Sequence, residues 1–290
     1  MKNLKTYLNK LYLTFDLKFL SPDPLEVVHQ FKEPKDREVI GLIASSLAYG
    51  QVNRILVSIR SVLKRMDNQP YKFVINFNPE KDAKIFDGFI HRFNSGRDIA
   101  CLVYFAKQMI EKNGSIGAFF LKGYNSGDAN IKNALVNFSE RVLSLDSSAI
   151  YSNIARADKK KLPVNAGVRF FFPSPKDGSP CKRLNLYLRW MVRNGDSLDF
   201  GLWKDIQPCK LVIPLDTHIA RISKNIGLTK RKSPDWKMAE EITANLKMLD
   251  PEDPIKYDFA LCRLGILEHC PKRKDLKKCE ACLIKKICVL

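Results

Sequence analysis

Four cysteines, one aspartate and one lysine are the residues in this chain whose types and spacing could best do chemistry. The C-terminus reads CPKRKDLKKCEACLIKKIC and spaces its thiols as Cys270-x8-Cys279-x2-Cys282-x5-Cys288. Soft thiolates select zinc or iron–sulfur clusters. Structural zinc usually takes two short C-x2-C knuckles, whereas this tail has one such pair flanked by longer gaps. Unequal gaps suit a chain wrapping a cuboidal [4Fe–4S] cluster with one cysteine on each iron, so a cluster is expected and zinc is the alternative. His269, beside Cys270, is placed to support that ligand. Cys101, Cys181, Cys209 and Cys262 are scattered and read as ordinary residues.

The aspartate lies in IPLDTHIARISKNIG, residues 213–227. Ile219, Ile222 and Ile226 form a stripe at helical spacing, and Gly227 sits where a helix stop is expected. Asp216 is therefore placed as an N-cap, its carboxylate accepting a backbone N–H at the positive end of the helix. The same carboxylate can instead face a cleft, and the two roles are compatible because the helix end fixes its position.

The lysine follows a turn in PKDGSPCKRLNLYLRWMVR, residues 175–193. Asp177-Gly178 is a tight-turn dipeptide, and Ser179 or Pro180 is expected to open the helix. Backbone N–H groups at such a turn, Gly178 and Ser179 among them, are suited to hold a phosphate. Lys182 then falls in the first helical turn, where the dipole opposes a positive charge and makes the amine more available as a nucleophile. The plainer reading of Lys182 is one more phosphate contact.

These residues must be positioned by helices, because most of the chain shows helical periodicity. Candidate helices cover Arg37 to Met66 (broken at Tyr49-Gly50), Ile99 to Lys112, Ile131 to Leu145, Arg183 to Arg193, Thr217 to Ile226 and Trp236 to Leu249. No segment sustains a two-residue alternation with hairpin turns, so the expected fold class is all-α. Breaks fall at residues 21–24, 68–79, 170–180 and 250–254, and after Cys270. The 290 residues suffice for one large domain or two modest ones.

Charge narrows the partner. Lys plus Arg number 49 against 31 Asp plus Glu, a net +18 that favours polyanions through counterion release. Basic clusters at 159–161, at 230–232 and among residues 272–286 add to this reading. The N-terminus lacks a signal-peptide core, and the longest weakly polar run, Ile40 to Gly50, is too short to span a bilayer. A cytoplasmic, nucleoid-associated monomer with no membrane partner is expected, and eight cysteines in such a compartment are not expected to form disulfides.

A Gly-x-Gly-x-Lys-like turn, a helix, the run P-L-D-T-H-I-A-R and a four-cysteine tail together resemble the helix-hairpin-helix DNA glycosylases, endonuclease III in particular. Gly178-Ser179-Pro180-Cys181-Lys182 matches the family's G-x-G-x-K with proline in place of the second glycine. The resemblance covers roughly the C-terminal 120 residues. Three features depart from endonuclease III: Pro180, an eight-residue first cluster gap where six is usual, and a Lys182-to-Asp216 interval of 34 positions. That interval is closer to archaeal 8-oxoguanine glycosylases, which carry an elongated hairpin region. The whole chain also resembles an uncharacterised bacterial family known only as a domain of unknown function.

The glycosylase resemblance implies two domains, 36–205 carrying a helical barrel and DNA-binding hairpin, and 1–35 plus 206–290 carrying the cluster loop. It also implies base-excision repair of a damaged base, expected to be an oxidised one, in double-stranded DNA, with associated AP-lyase activity. Lys182 and Asp216 would be catalytic. Gly178, Ser179, Arg183, Arg221 and a wedging Gln51 would contact DNA, and Cys270, Cys279, Cys282 and Cys288 would hold the cluster. The competing class is a non-catalytic helix-hairpin-helix nucleic-acid binder with a structural iron–sulfur or zinc site. Phe170 to Phe172, Trp203 and Trp236 can be read either as base-stacking rings or as core.

Overall fold

The computed structural model describes residues 2–151, 162–267, 270–271 and 273–289; His269 and the lysines at 159–161 lie outside the described residues. Among the described residues the chain is all-α apart from one short hairpin. In chain order the principal helices are α1 (Lys2–Thr14), α2 (Pro34–Ser46), α3 (Val52–Arg65), α4 (Gly96–Asn113), α5 (Lys132–Leu143), α6 (Lys182–Val192), α7 (Thr217–Asn225), α8 (Trp236–Lys247), α9 (Asp258–Ile266) and α10 (Leu276–Glu280). The hairpin pairs β1 (Ile90–His91) with β2 (Asn94–Ser95) before α4. Among the described residues no helix is long and apolar enough to cross a membrane.

Local chemistry explains the boundaries. The expected break between α2 and α3 falls at Gly50, whose φ of +101° lies in the region that favours glycine. The N-terminus of α4 is a capping box: Ser95 and Asp98 satisfy each other's orphan N–H groups. Asp235 caps α8 by accepting the Met238 N–H at 2.8 Å. Helices α1 and α9 escaped the periodicity reading, α1 because lysines interrupt its apolar stripe and α9 because it is apolar on nearly every side.

The chain divides into two compact units, one of residues 1–21, 129–131 and 175–290, the other of residues 22–128 and 132–174. This differs from the expected division at 36–205. The turn before α6, and α6 itself, belong with the C-terminal helices. Arg189 and Arg193 of α6 form buried ion pairs with Asp258 and Asp253, and Gly178 O accepts the Trp236 N–H at 3.0 Å. In this first unit α7 packs on α9, and α1 packs on α9 and on the 3-10 turn Lys285–Ile287. Trp190, Trp236, Tyr187, Ile222 and Leu264 are buried in its core.

The second unit has its own core, with Phe105, Phe120, Phe138, Phe171 and Phe172 buried. Several buried polar groups here are paired, as their desolvation requires. Glu38 accepts the Ile116 and Gly117 N–H groups at 3.2 and 2.7 Å, and Ser58 Oγ meets His91 Nδ1 at 2.8 Å.

Candidate active site

Asp216 takes the N-cap role expected of it. Its φ of −115° and ψ of −174° place it at the N-cap of α7, and Oδ1 accepts the Ile219 N–H at 2.8 Å. Oδ2 is turned the other way. It lies 3.9 Å from Lys182 Nζ, with side-chain exposures of 34% for the lysine and 16% for the aspartate. Cys262 Sγ, on α9, sits 4.0 Å from the same oxygen. Two residues 34 positions apart thus meet as a half-buried ion pair, and each is held at the first turn of a helix.

Lys182 owes its position to an unusual cap. The helix begins at Lys182 itself, not at Ser179 or Pro180, and its N-cap is Cys181. That residue adopts φ +48° and ψ +37°, left-handed backbone that a non-glycine residue rarely takes, with its side chain buried. The turn is knitted internally: Cys181 N donates to Ser179 Oγ at 3.2 Å, and Asn185 Nδ2 donates to Pro180 O at 3.0 Å. The Gly178 N–H donates to Pro175 O at 3.1 Å and Pro180 brings no N–H, so residues 178, 180 and 181 leave no unengaged backbone donor for a phosphate. Gly178, at φ +76°, has open space around its Cα.

Two arginines expected to reach DNA are placed otherwise. Arg183 is only 8% exposed. Arg221 turns inward: Nη2 donates to His218 Nδ1 at 3.3 Å, and the guanidinium also hydrogen-bonds the Cys270 side chain. Its Nε is buried with no protein partner. His218 in turn lies so close to α9 that a Cβ on Gly265 would come within 2.6 Å of Nδ1.

Cys270, Cys279, Cys282 and Cys288 all line one cavity. Ile222 and Asn225 of α7 and Leu264 of α9 complete its inner wall. None of the four is in a disulfide, and no group of three or more His, Cys, Asp or Glu side chains that could hold a metal ion is present among the described residues. Burial pushes the Cys270 thiol up; Arg221 opposes that shift, while Cys288 and Cys279 add to it. Asn225 Nδ2 is buried without a protein partner, so a wall of this cavity carries an unused donor suited to a sulfur acceptor.

Beneath the lysine–aspartate pair runs a buried chain of charges that sequence reasoning missed. Asp258, at the start of α9, accepts Arg189 Nη1 at 2.5 Å, and Arg189 Nε reaches Asp199 Oδ1 at 3.2 Å. Asp199 also pairs with Arg193, which is bonded to Asp196 and Asp253 as well. Tyr12 of α1 closes the chain by donating to Asp196 Oδ2 at 3.0 Å. Burial, above all, pushes the Asp258 carboxyl up to about 6; Arg189 opposes this, and the charges of Asp216 and Asp199 add to it. The only sequence signal for this chain was the pairing of two arginines four apart on an apolar helix.

Gln51 lies in the other unit, where it precedes α3 as an exposed N-cap whose side chain makes no cap bond. Beside it is a surface of rings. Tyr49 and Phe93 are parallel within 2° at 6.3 Å, and Phe170 meets both edge-on at 4.9 and 5.8 Å. Arg92 sits over the faces of Phe93 and Tyr49, 5.3 and 5.9 Å from the ring centres. Phe93 is 71% exposed and Phe170 40%, whereas Phe171, Phe172, Trp203 and Trp236 are core. Of the rings singled out in the sequence, only Phe170 is available for stacking.

No curated protein and no solved structure matches the chain. Residues 23–267, a span that contains Lys182, Asp216 and Asp258 and ends before Cys270, match the family described as protein of unknown function (DUF2400), and the chain belongs to that family.

Proposed function

We propose that the chain is a DNA base-excision glycosylase with associated AP-lyase activity, acting on a damaged base in double-stranded DNA and built on a two-domain helix-hairpin-helix plan. The observation that carries this reading is the 3.9 Å pairing of Lys182 Nζ with Asp216 Oδ2 at partly exposed positions. An amine and a carboxylate so placed have the chemistry that N-glycosidic cleavage needs. The target nucleotide must first leave the base stack. Positive charge then builds on the sugar, and Asp216 stabilises it. Lys182, its proton passed to solvent so that Asp216 stays ionised, bonds to C1′ as the base departs with the electrons of the broken C1′–N bond. Opening of the sugar ring gives a Schiff base. Removal of a proton from C2′ then expels the 3′ phosphate.

A [4Fe–4S] cluster is preferred to zinc because four unequally spaced cysteines, which suit a chain wrapping a cuboidal cluster, line one cavity. Bound there, the cluster would supply a structural clamp on the C-terminal loop. Net charge and the exposed rings beside Arg92 support a nucleic-acid partner, since phosphates attract the charge and bases stack on rings. Arg183 and Arg221 have no DNA role in this reading.

A non-catalytic nucleic-acid binder is the second reading, favoured by a hairpin turn whose Gly178 and Cys181 N–H groups are already engaged and whose Pro180 has none. Borohydride reduction in the presence of an abasic-site duplex separates the two. A covalent complex that disappears in Lys182→Ala is expected of the glycosylase–lyase. A wild-type protein that binds the duplex but is never trapped would leave only the binder.

A further inference from the structure

Asp258 has no part in the reaction just described, yet it lies directly behind the site. Three residues of α9, at positions i, i+4 and i+7, face the start of α7. Asp258 is close enough for its charge to act on Asp216, Cys262 lies 4.0 Å from Asp216 Oδ2, and Gly265 receives the His218 ring. This helix face forms the floor under the lysine–aspartate pair. The carboxylate of Asp258 cannot wander on that floor, because Arg189 holds it at 2.5 Å and Asp199 in turn holds Arg189. Side-chain exposures of 4% for Asp258, 3% for Arg189 and none for Asp199 leave the assembly dry. Buried ion pairs of this kind are often less stabilising than apolar residues of the same volume. A chain that keeps one beneath a candidate site gains something other than stability.

We propose that Asp258, fixed by Arg189, is a positioning residue for the Lys182–Asp216 pair, supplying a second negative charge behind Asp216 that strengthens the field on a cation in front of it. The inference rests on the excision reading. Asp258 touches no reacting atom; it acts through Asp216, and through the low dielectric that leaves its charge poorly screened. The charged groups facing it are Arg189 from α6, Asp199 from the segment after α6 and Asp216 from the cap of α7. Burial brings its protonation into the range near pH 6, so mild acid would remove the second charge while the fold persists.

The test uses the full chain, a duplex with one abasic site, and the rate of borohydride trapping from pH 5 to pH 8. Asp258→Asn keeps an oxygen for Arg189 and removes the charge. It is expected to slow trapping about tenfold at pH 7.5, with duplex affinity unchanged within about twofold. The ratio of wild-type to variant rates should fall toward one below about pH 6, where the wild-type carboxyl is itself neutral. Equal rates at pH 7.5, or a ratio constant across the range, would overturn the proposal and reduce Asp258 to a structural residue. Where Asp258→Asn does not fold, Asp258→Glu keeps the charge but displaces it from Arg189, and a slowing in the same direction at pH 7.5 is expected of it. Wild-type protein that gives no trapped complex overturns the excision reading and this inference with it. Wild-type trapping at Lys182 with an indifferent Asp258 overturns the inference alone.

Discussion

The Ile219 N–H donates to Asp216 Oδ1 at 2.8 Å, which commits one carboxylate oxygen to holding the helix end and leaves Oδ2 to Lys182. Capping and chemistry are therefore separable by substitution. Asparagine caps a helix as well as aspartate does, so Asp216→Asn should lower stability by less than about 0.5 kcal/mol. The same change removes the charge that would meet the sugar cation, and base release should slow on the order of a hundredfold or more. Asp216→Ala should lose the cap as well, at about 1 kcal/mol. Denaturant titration beside single-turnover base release reads both effects, and an Asp216→Asn protein that keeps full activity removes Asp216 from the mechanism.

The cysteine cavity makes a prediction independent of any reaction. Four cysteines lining one cavity should bind roughly four irons and four sulfides per chain, and the pure protein should absorb broadly in the visible. Alanine at Cys279 or Cys282 should bleach that absorbance and loosen the tail to proteolysis. Colourless protein carrying one zinc per chain would assign the site to zinc instead.

Stacking and electrostatics should separate in the DNA-binding isotherm. Phe93→Ala or Phe170→Ala is expected to cost about 1–3 kcal/mol of duplex or single-strand affinity if a base stacks there, leaving the salt dependence unchanged. Replacing Lys277 or Lys278 should do the reverse, flattening the plot of log affinity against log salt by about one unit for each phosphate no longer neutralised. A ring substitution that alters only the salt slope would mean that the aromatic surface does not touch bases.

The sequence pattern located what depends on local rules and lost what depends on direction. Helices α2 to α8 were legible because apolar residues at three- and four-residue spacing must face a core, and Asp216 was legible as a cap because short acids satisfy orphan N–H groups. Nothing local says where a long side chain points. Arg221 is one of many cations in the chain, and only its seat beside Cys270 turns it from a DNA contact into a cavity residue. Cys181 and Cys262, scattered in sequence, acquire roles through a left-handed cap and through the packing of α9 on α7. The β1–β2 hairpin escaped because two residues per strand show no alternation.

Close approach of α9 to α7 depends on the absence of a side chain at Gly265. A methyl group there would stand 2.6 Å from His218 Nδ1 and 2.8 Å from its Cβ, so the ring cannot simply swing aside. Gly265→Ala should destabilise the protein by about 1–3 kcal/mol, as overpacking does. It should also slow base release beyond what lower stability explains, because the displaced first turn of α7 carries Asp216 with it. A variant of unchanged stability would show that the two helices can separate there without cost.

The buried acid of α9 should leave a signature in stability against pH that runs opposite to the usual one. The Asp258 carboxyl is raised to about 6 from 3.8, chiefly by burial, so the folded chain binds its proton more readily than the unfolded chain does. Its contribution to stability is therefore complete below about pH 4 and is lost as pH rises through about 6, a swing on the order of 3 kcal/mol. Asp199 shifts in the same direction, whereas Asp196 and Asp250 are held low and favour the fold as pH rises. Those opposing groups would mask the effect in the wild type alone, so the quantity to measure is the difference in Tm between Asp258→Asn and wild type. That difference should climb in favour of the variant between about pH 4 and pH 6 and be flat on either side. A difference independent of pH would mean that Asp258 stays ionised throughout, stabilised by Arg189 more than burial penalises it.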